Sequence, residues 1–275
     1  MTQITAPQSG KTAIAVTYID HMGSDYSPIR AAVVSNGTTN HDKYQDAQGQ
    51  PTEAARGLIK FLARGCTSGD WDRLVGSLQG VVSSGAIEET MNHLRHMPPH
   101  WTPFGHTAIT LHIKAPLFVA RQLGKHQVGF VWNEISRRYV DSDVEFYTPD
   151  TWRGRSADKK QGSEGAVDVS GFTFQFATIG KNTIPDAEGR FNHHALEFYG
   201  DLLEHGVAPE QARMVLPQSM MTEWYWTANL YGWSKMFISR TDPHTQKETQ
   251  DVAHMIGDII RPLFPVSWAE LVSNS

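Results

Sequence analysis

The chain has 275 residues, enough for a well-filled core. At 40% hydrophobic and 19% charged residues it reads as globular, and a net charge of −5 with interspersed signs excludes a protein that tracks polymeric nucleic acid electrostatically. One cysteine, Cys66, excludes an internal disulfide or thiolate zinc cluster and fits a reducing compartment. There is no N-terminal cation-plus-apolar signal and no apolar run near membrane-span length, so a cytoplasmic protein with no membrane partner is expected.

Residues 1–11 are small and polar, a frayed tail, and "TAIAVTYID" (12–20) alternates as a strand does. Polar-rich helices are expected around 53–65, 69–79 and 86–96. "HTAITLHIKA" (106–115) alternates in period two, with Thr107, Ile109, Leu111 and Ile113 on one side, and predicts a half-buried strand. Pro116 then opens a short helix, "PLFVARQLGKH", that puts Gln122 and His126 on one face. The polar, Gly-rich stretch at about 153–190 reads as an exposed insertion. "AEGRFNHHALEFYGDLLEHG" is an amphipathic helix closed by Gly206. "MTEWYWTANL" is an aromatic strand, and final helices are expected at about 229–240 and 243–262. No repeat or linker divides the chain, so the expectation is a single α+β domain over 1–275, an antiparallel or mixed sheet packed by helices.

The stretch "KHQVGFVWNEISRRYVD" (125–141) sets charged and polar groups around an apolar run. If it is helical or tightly turned from Asn133, Glu134 and Arg138 face one way with Ser136 between them, which suits a phosphate and a polar ring. An exposed helix with an ion pair worth under about 1 kcal/mol fits the pattern equally. Arg213 stands beside Met-Val-Leu-Pro and Arg240 ends an apolar helix. A guanidinium against an apolar run calls for a fixed anion, so Arg138, Arg213 and Arg240 are candidates for one anion site. The alternative is that each closes a carboxylate pair, with Glu210 and Asp242 at hand. His93, His96, His100, His193 and His194 lack a carboxylate at zincin spacing, and no metal is expected. "WYW" (224–226) reads as core, and no glycine-rich phosphate loop is present.

"HWTPFGHTAITLHIKAPLFVARQ" (100–122), "NEISRRY" (133–139), "QARMVLP" (211–217) and "YWTANLYGWSKMFISRTDPHTQ" (225–246) together resemble the flavin-dependent thymidylate synthases. The chain departs from that family's signature: Lys125, His126 and Gln127 replace Arg-His-Arg, Phe130 stands where a serine would, and Tyr231 replaces an arginine.

The resemblance implies reductive methylation of dUMP to dTMP, a methyltransferase reaction using FAD, NADPH and methylenetetrahydrofolate in a homotetramer. It implies nucleotide contacts from Gln122, Leu123, Gly124, Lys125, Glu134, Ile135, Ser136, Arg137, Arg138 and Arg213, with Arg240 catalytic against the pyrimidine. It implies flavin contacts from Thr102, Lys125, His126, Gln127 and Glu134, with Asn229, Leu230, Tyr231 and Lys235 reaching from another subunit. Two alternatives stay open: a related C5 methylase or hydroxymethylase acting on dUMP or dCMP, and a silent nucleotide- or flavin-binding homologue.

Overall fold

The computed structural model describes residues 12–35, 37, 41–64, 76, 85, 100–156, 162–169, 173–176 and 180–273. Cys66 and the helices expected over 69–79 and 86–96 lie outside these residues, except for Gly76, which is helical. Close contacts group the chain into two compact units, one of residues 1–18, 111–226 and 239–255, the other of residues 19–110, 227–238 and 256–275.

The main sheet has four strands, β1 (Ala15–Met22), β2 (Ala108–Pro116), β3 (Phe130–Glu134) and, last in the chain, β8 (Met221–Ala228), in the order β1-β2-β8-β3. Along β2, Ile109, Leu111 and Ile113 are fully buried while Thr110, His112 and Lys114 are half-buried, the two-faced strand that the alternation predicts. Thr110 bonds Thr227 and His112 packs on Tyr225, so numbering rises on one strand as it falls on the other, and β2 and β8 run antiparallel. β3 meets β8 in the same sense: Phe130 lies against Trp226 and Trp132 stacks on Trp224 at 4.2 Å. Trp224 and Trp226 are buried as "WYW" predicts, and Tyr225 between them points to the half-exposed face.

In the first unit, helix α3 (Leu117–Leu123) leaves the sheet after Pro116, whose extended backbone (ψ 154°) sets the turn. The helix ends earlier than expected, at Gly124, so His126 is not on a helical face with Gln122; the chain instead folds back through His126 N–H to the Leu123 carbonyl at 3.0 Å. Helix α4 (Ile184–Glu204) stops before Gly206, whose φ of +81° suits a residue without Cβ. Leu196 and Tyr199 of α4 pack with Val144, Ala212, Leu216 and Met220 in one apolar cluster, Ala212 closing the short helix α5 (Pro209–Ala212).

The stretch expected as an exposed insertion is only partly that. Residues Arg153–Arg155 (β4) and Ser163–Ala166 (β5) form an antiparallel hairpin, and Thr173–Phe176 (β6) and Gly180–Thr183 (β7) form another. β5 is exposed throughout, but Ser156 is 4% exposed, and Arg153 turns inward to a carboxylate in helix α7 (Lys247–Leu263). Polarity along the sequence misses this because the partner lies 95 positions away.

In the second unit, helix α2 (Glu53–Arg64) packs against both α1 (Tyr26–Val34) and α8 (Pro265–Val272). Asp25, 4% exposed, accepts from the Val266 and Ser267 N–H groups at 2.9 and 2.7 Å, answering the open donors at the start of α8. Helix α6 (Leu230–Arg240) begins where Thr107 Oγ1 accepts from Leu230 N–H at 2.9 Å.

Candidate active site

Two cavities open in the first unit. The larger, about 700 Å³, is walled by Phe118, Tyr147 and Trp152 and by the polar groups of Gln122, Arg153, Glu188, Arg240, Gln246 and Glu248. The second, about 570 Å³, is lined by Arg121, Lys125, His126, Gln127, Phe130, Trp132 and Glu134. The larger lies within the 300–1,000 Å³ range of small-molecule sites, with flat apolar walls and few converging polar groups.

Arg240 connects them. Its Nε donates to His126 Nε2 at 2.8 Å and its Nη2 to the Gln122 carbonyl at 3.0 Å. Burial lowers its pKa, yet no carboxylate pairs with it among the described residues. The expected alternative, a cap paired with Asp242, is not what the chain does: Asp242 accepts from the His244 backbone N–H at 2.7 Å and lies 2.8 Å from its ring. Burial first, and then the Arg240 charge, push His126 down to about 4, so its ring is neutral at neutral pH. Gln122 is itself fixed, donating to Gln246 and accepting from Thr249 at 3.1 Å.

On the far wall, Arg153 Nη2 reaches both oxygens of Glu248 at 2.7 Å, and its Nε donates to Ser163 at 2.8 Å. Burial alone would raise the Glu248 carboxyl, but the Arg153 hydrogen bonds and charge outweigh it and hold it below the usual range. Burial, then the Glu248 charge, push the Tyr147 phenol up to about 12. Burial likewise raises the Glu188 carboxyl, and Thr148 donates to it at 3.4 Å. None of these groups was expected from the sequence. Arg153 stands in a polar, glycine-rich stretch, and Glu248 reads as an ordinary first-turn acid.

The other expected residues separate. Glu134 does not face Arg138: it ends a strand, where its carboxylate accepts from Thr222 at 2.6 Å and from the Trp132 indole at 3.2 Å. Arg138 instead meets Glu210 at 3.7 Å, and Arg213 donates to the Glu210 carbonyl at 3.3 Å. Those two arginines meet different groups of Glu210, Arg138 its carboxylate and Arg213 its backbone carbonyl, while Arg240 lines the larger cavity. Arg213 is exposed and the adjoining Met214 is 80% exposed, so this guanidinium does not stand in a buried apolar setting. Arg137 is buried and donates to the carbonyls of Ser142 and Asp143 at 2.6 and 3.3 Å, which holds its own loop. Leu123 is core, Gly124 caps α3, Ile135 N–H donates to the Glu223 carbonyl at 2.9 Å, and Ser136 Oγ accepts from Arg138 N–H at 3.3 Å. In the second unit Thr102 is exposed, Leu230 is buried, and Asn229 Oδ1 accepts from Gly232 N–H at 2.8 Å. There Tyr231 lies 5.9 Å from Trp101, with the Lys235 ammonium 5.3 Å over its ring. His193 and His194 both pair with Glu197.

The profile of the family described as "Thymidylate synthase complementing protein" matches residues 18–266. A "Flavin-dependent thymidylate synthase" of Thermus thermophilus is 36% identical over 254 residues, covering 92% of this chain and 74% of that one. This chain belongs to the flavin-dependent thymidylate synthase family. A second relative of that name, from Thermosipho africanus, is 37% identical over 247 residues, 90% of this chain and 86% of its own. Among solved structures, the crystal structure of a UMP/dUMP methylase PolB from Streptomyces cacaoi bound with 5-Br dUMP aligns with a TM-score of 0.70 at 25% identity over 96% of each chain. Of the positions where this member of the flavin-dependent thymidylate synthase family departs from the signature given above, Lys125, Gln127 and Phe130 line the second cavity, whereas Tyr231 lies in the second unit.

Proposed function

We propose that this chain is a flavin-dependent thymidylate synthase that methylates carbon 5 of dUMP to give dTMP, with FAD as its flavin and NADPH and methylenetetrahydrofolate as co-substrates. The observation that carries this reading is the Arg240 guanidinium, held on two neutral acceptors beside a cavity, without a carboxylate partner among the described residues, in a chain of this family. A cation fixed without a counter-ion suits an anionic guest, or negative charge that develops during reaction.

The second cavity fits a flavin by its chemistry. Phe130 and Trp132 offer flat aromatic faces, Lys125 and Arg121 offer cations for phosphates, and Gln127 and Glu134 offer polar groups for a ring edge. Thr102, Asn229, Leu230, Tyr231 and Lys235 would complete the flavin site from a second subunit of a homotetramer. When bound, the flavin supplies the hydride that completes the methyl group. The chain's own residues do the rest. Arg240 stabilises negative charge on the pyrimidine, Gln122 is held rigid beside it, and Phe118, Tyr147 and Trp152 exclude water. Arg138 and Arg213 would serve the phosphate. No protein nucleophile is required. The single cysteine supports a reducing, cytoplasmic setting.

The UMP/dUMP methylase similarity favours a second reading, the same methylation on the ribonucleotide UMP. The experiment is NADPH oxidation by the FAD-loaded protein with and without dUMP, followed by mass analysis of the products from dUMP, UMP and dCMP. A methylated product from dUMP is expected. A protein that takes up no added FAD, or a hydroxymethylated product, would overturn the synthase reading.

A further inference from the structure

We infer that His126 is a positioning residue for Arg240, its unprotonated Nε2 orienting the guanidinium from the wall of the neighbouring cavity. This rests on the proposed role of Arg240 and goes beyond the flavin contact that family resemblance implies for His126. The geometry is one-directional. The 2.8 Å bond runs from a guanidinium N–H, so Nε2 must be the acceptor and the single ring proton must sit on Nδ1. An imidazolium there could not accept and would face a like charge.

The bond also decides where the guanidinium points. A guanidinium has about five N–H donors. Arg240 directs Nε to His126 and Nη2 to the Gln122 carbonyl, leaving Nη1 and the second Nη2 hydrogen for a guest. Both anchors are rigid. Gln122 is bonded at both ends of its side-chain amide, and the His126 backbone is tied to the Leu123 carbonyl at 3.0 Å. His126 lines one cavity and Arg240 the other, so whatever fills the flavin cavity bears on the ring that holds Arg240. A helix-end cation with only a capping role would turn to its own last carbonyls, and Arg240 does not. The low pKa of His126, set first by burial and then by Arg240, agrees with a ring kept neutral for this purpose.

Two measurements test the assignment. In the flavin-free protein labelled with 13C-histidine, the His126 signal (identified by its loss in His126→Asn) should titrate near 4. Arg240→Gln should move that midpoint up toward the ordinary histidine value, and an unmoved midpoint would overturn the contact. The second measurement is a double-mutant cycle read by single-turnover methyl transfer at saturating flavin and nucleotide. His126→Ala should slow the step about ten- to a hundred-fold, and Arg240→Lys with His126→Ala should be little slower than Arg240→Lys alone. His126→Asn, which keeps an acceptor, should recover part of the rate. Full speed in His126→Ala, or losses that multiply in the double variant, would leave His126 as a flavin contact only. If the wild-type protein methylates no nucleotide, the functional reading falls, while the titration still decides whether His126 holds Arg240.

Discussion

At Arg240, binding and chemistry can be separated by one substitution. Lysine keeps a cation but cannot reach His126 Nε2 and the Gln122 carbonyl together, as the fork of Arg240 does at 2.8 and 3.0 Å. Arg240→Lys is therefore expected to keep its fold and its flavin while methyl transfer from pre-reduced flavin falls about a hundred-fold, the usual scale for losing one electrostatic donor. A near-normal single-turnover rate would leave Arg240 as a helix-end cation. Arg213 makes a different case, since it is exposed and donates to the Glu210 carbonyl. If it serves the phosphate, Arg213→Ala should weaken dUMP about ten- to a hundred-fold, matching about 1.5–3 kcal/mol for a charged hydrogen bond, with flavin occupancy intact. Unchanged affinity by calorimetry would remove Arg213 from the site.

Between elements, two contacts carry stability that local propensity does not. Arg153 brings hairpin β4–β5 to Glu248 in the first turn of α7, where the carboxylate side chain is 5% exposed and the arginine 25%. Arg153→Met strands that carboxylate and should cost about 3 kcal/mol, the low end for a broken buried pair because part of the arginine remains in water. Adding Glu248→Leu should return most of the loss, since no buried charge is then left alone; a double variant as unstable as the single would argue against a charge effect. In the second unit, α6 and α7 approach closely at Gly257, where a Cβ would lie 2.4 Å from the Phe237 ring. Phe237 cannot swing away freely, since it packs edge-on to Trp268 at 5.2 Å. Overpacking costs about 1–3 kcal/mol, and the better helix propensity of alanine returns about 1. Gly257→Ala should therefore lose stability in denaturant titrations, and a gain would mean that the ring relaxes.

For the whole molecule, His126 and Glu248, the two of the three described groups with depressed folded pKa values that titrate on the acid side, act in the same direction with pH. His126 falls from the ordinary 6.5 to about 4, so the unfolded chain binds its proton first as pH drops. Its contribution is complete above 6.5 and is lost as pH falls toward 4. Glu248, held below its ordinary 4.5, contributes fully above that value and is lost as pH falls further, through its folded value. Unfolding midpoints should hold near neutrality and decline from about pH 6.5 downward, more steeply below about 4.5. Arg240→Gln should flatten the upper part of that decline, because the cation that helps to depress His126 is gone; an unchanged upper limb would point to burial alone.

The sequence by itself determined several of the elements and the family. Alternation set β2 and its buried face, tryptophans at alternate positions set the inner face of β8, and Gly206 marked the end of α4, because each depends on neighbours a few residues apart. The four separate blocks, over 100–122, 133–139, 211–217 and 225–246, together indicated membership of the family. Only the tertiary structure decided how the site is assembled. The bond from Arg240 to His126 spans 114 positions and that from Arg153 to Glu248 spans 95, and no periodicity encodes a partner at that distance. The pattern also made Arg138, Arg213 and Arg240 look equivalent, since charge and residue type do not reveal burial. The fold separated them by setting Arg240 beside a cavity on His126 Nε2 and the Gln122 carbonyl, while Arg138 meets the Glu210 carboxylate and the exposed Arg213 that residue's backbone carbonyl. A side chain's charge belongs to its residue, but the work that charge can do depends on what the rest of the chain brings within about 3 Å of it.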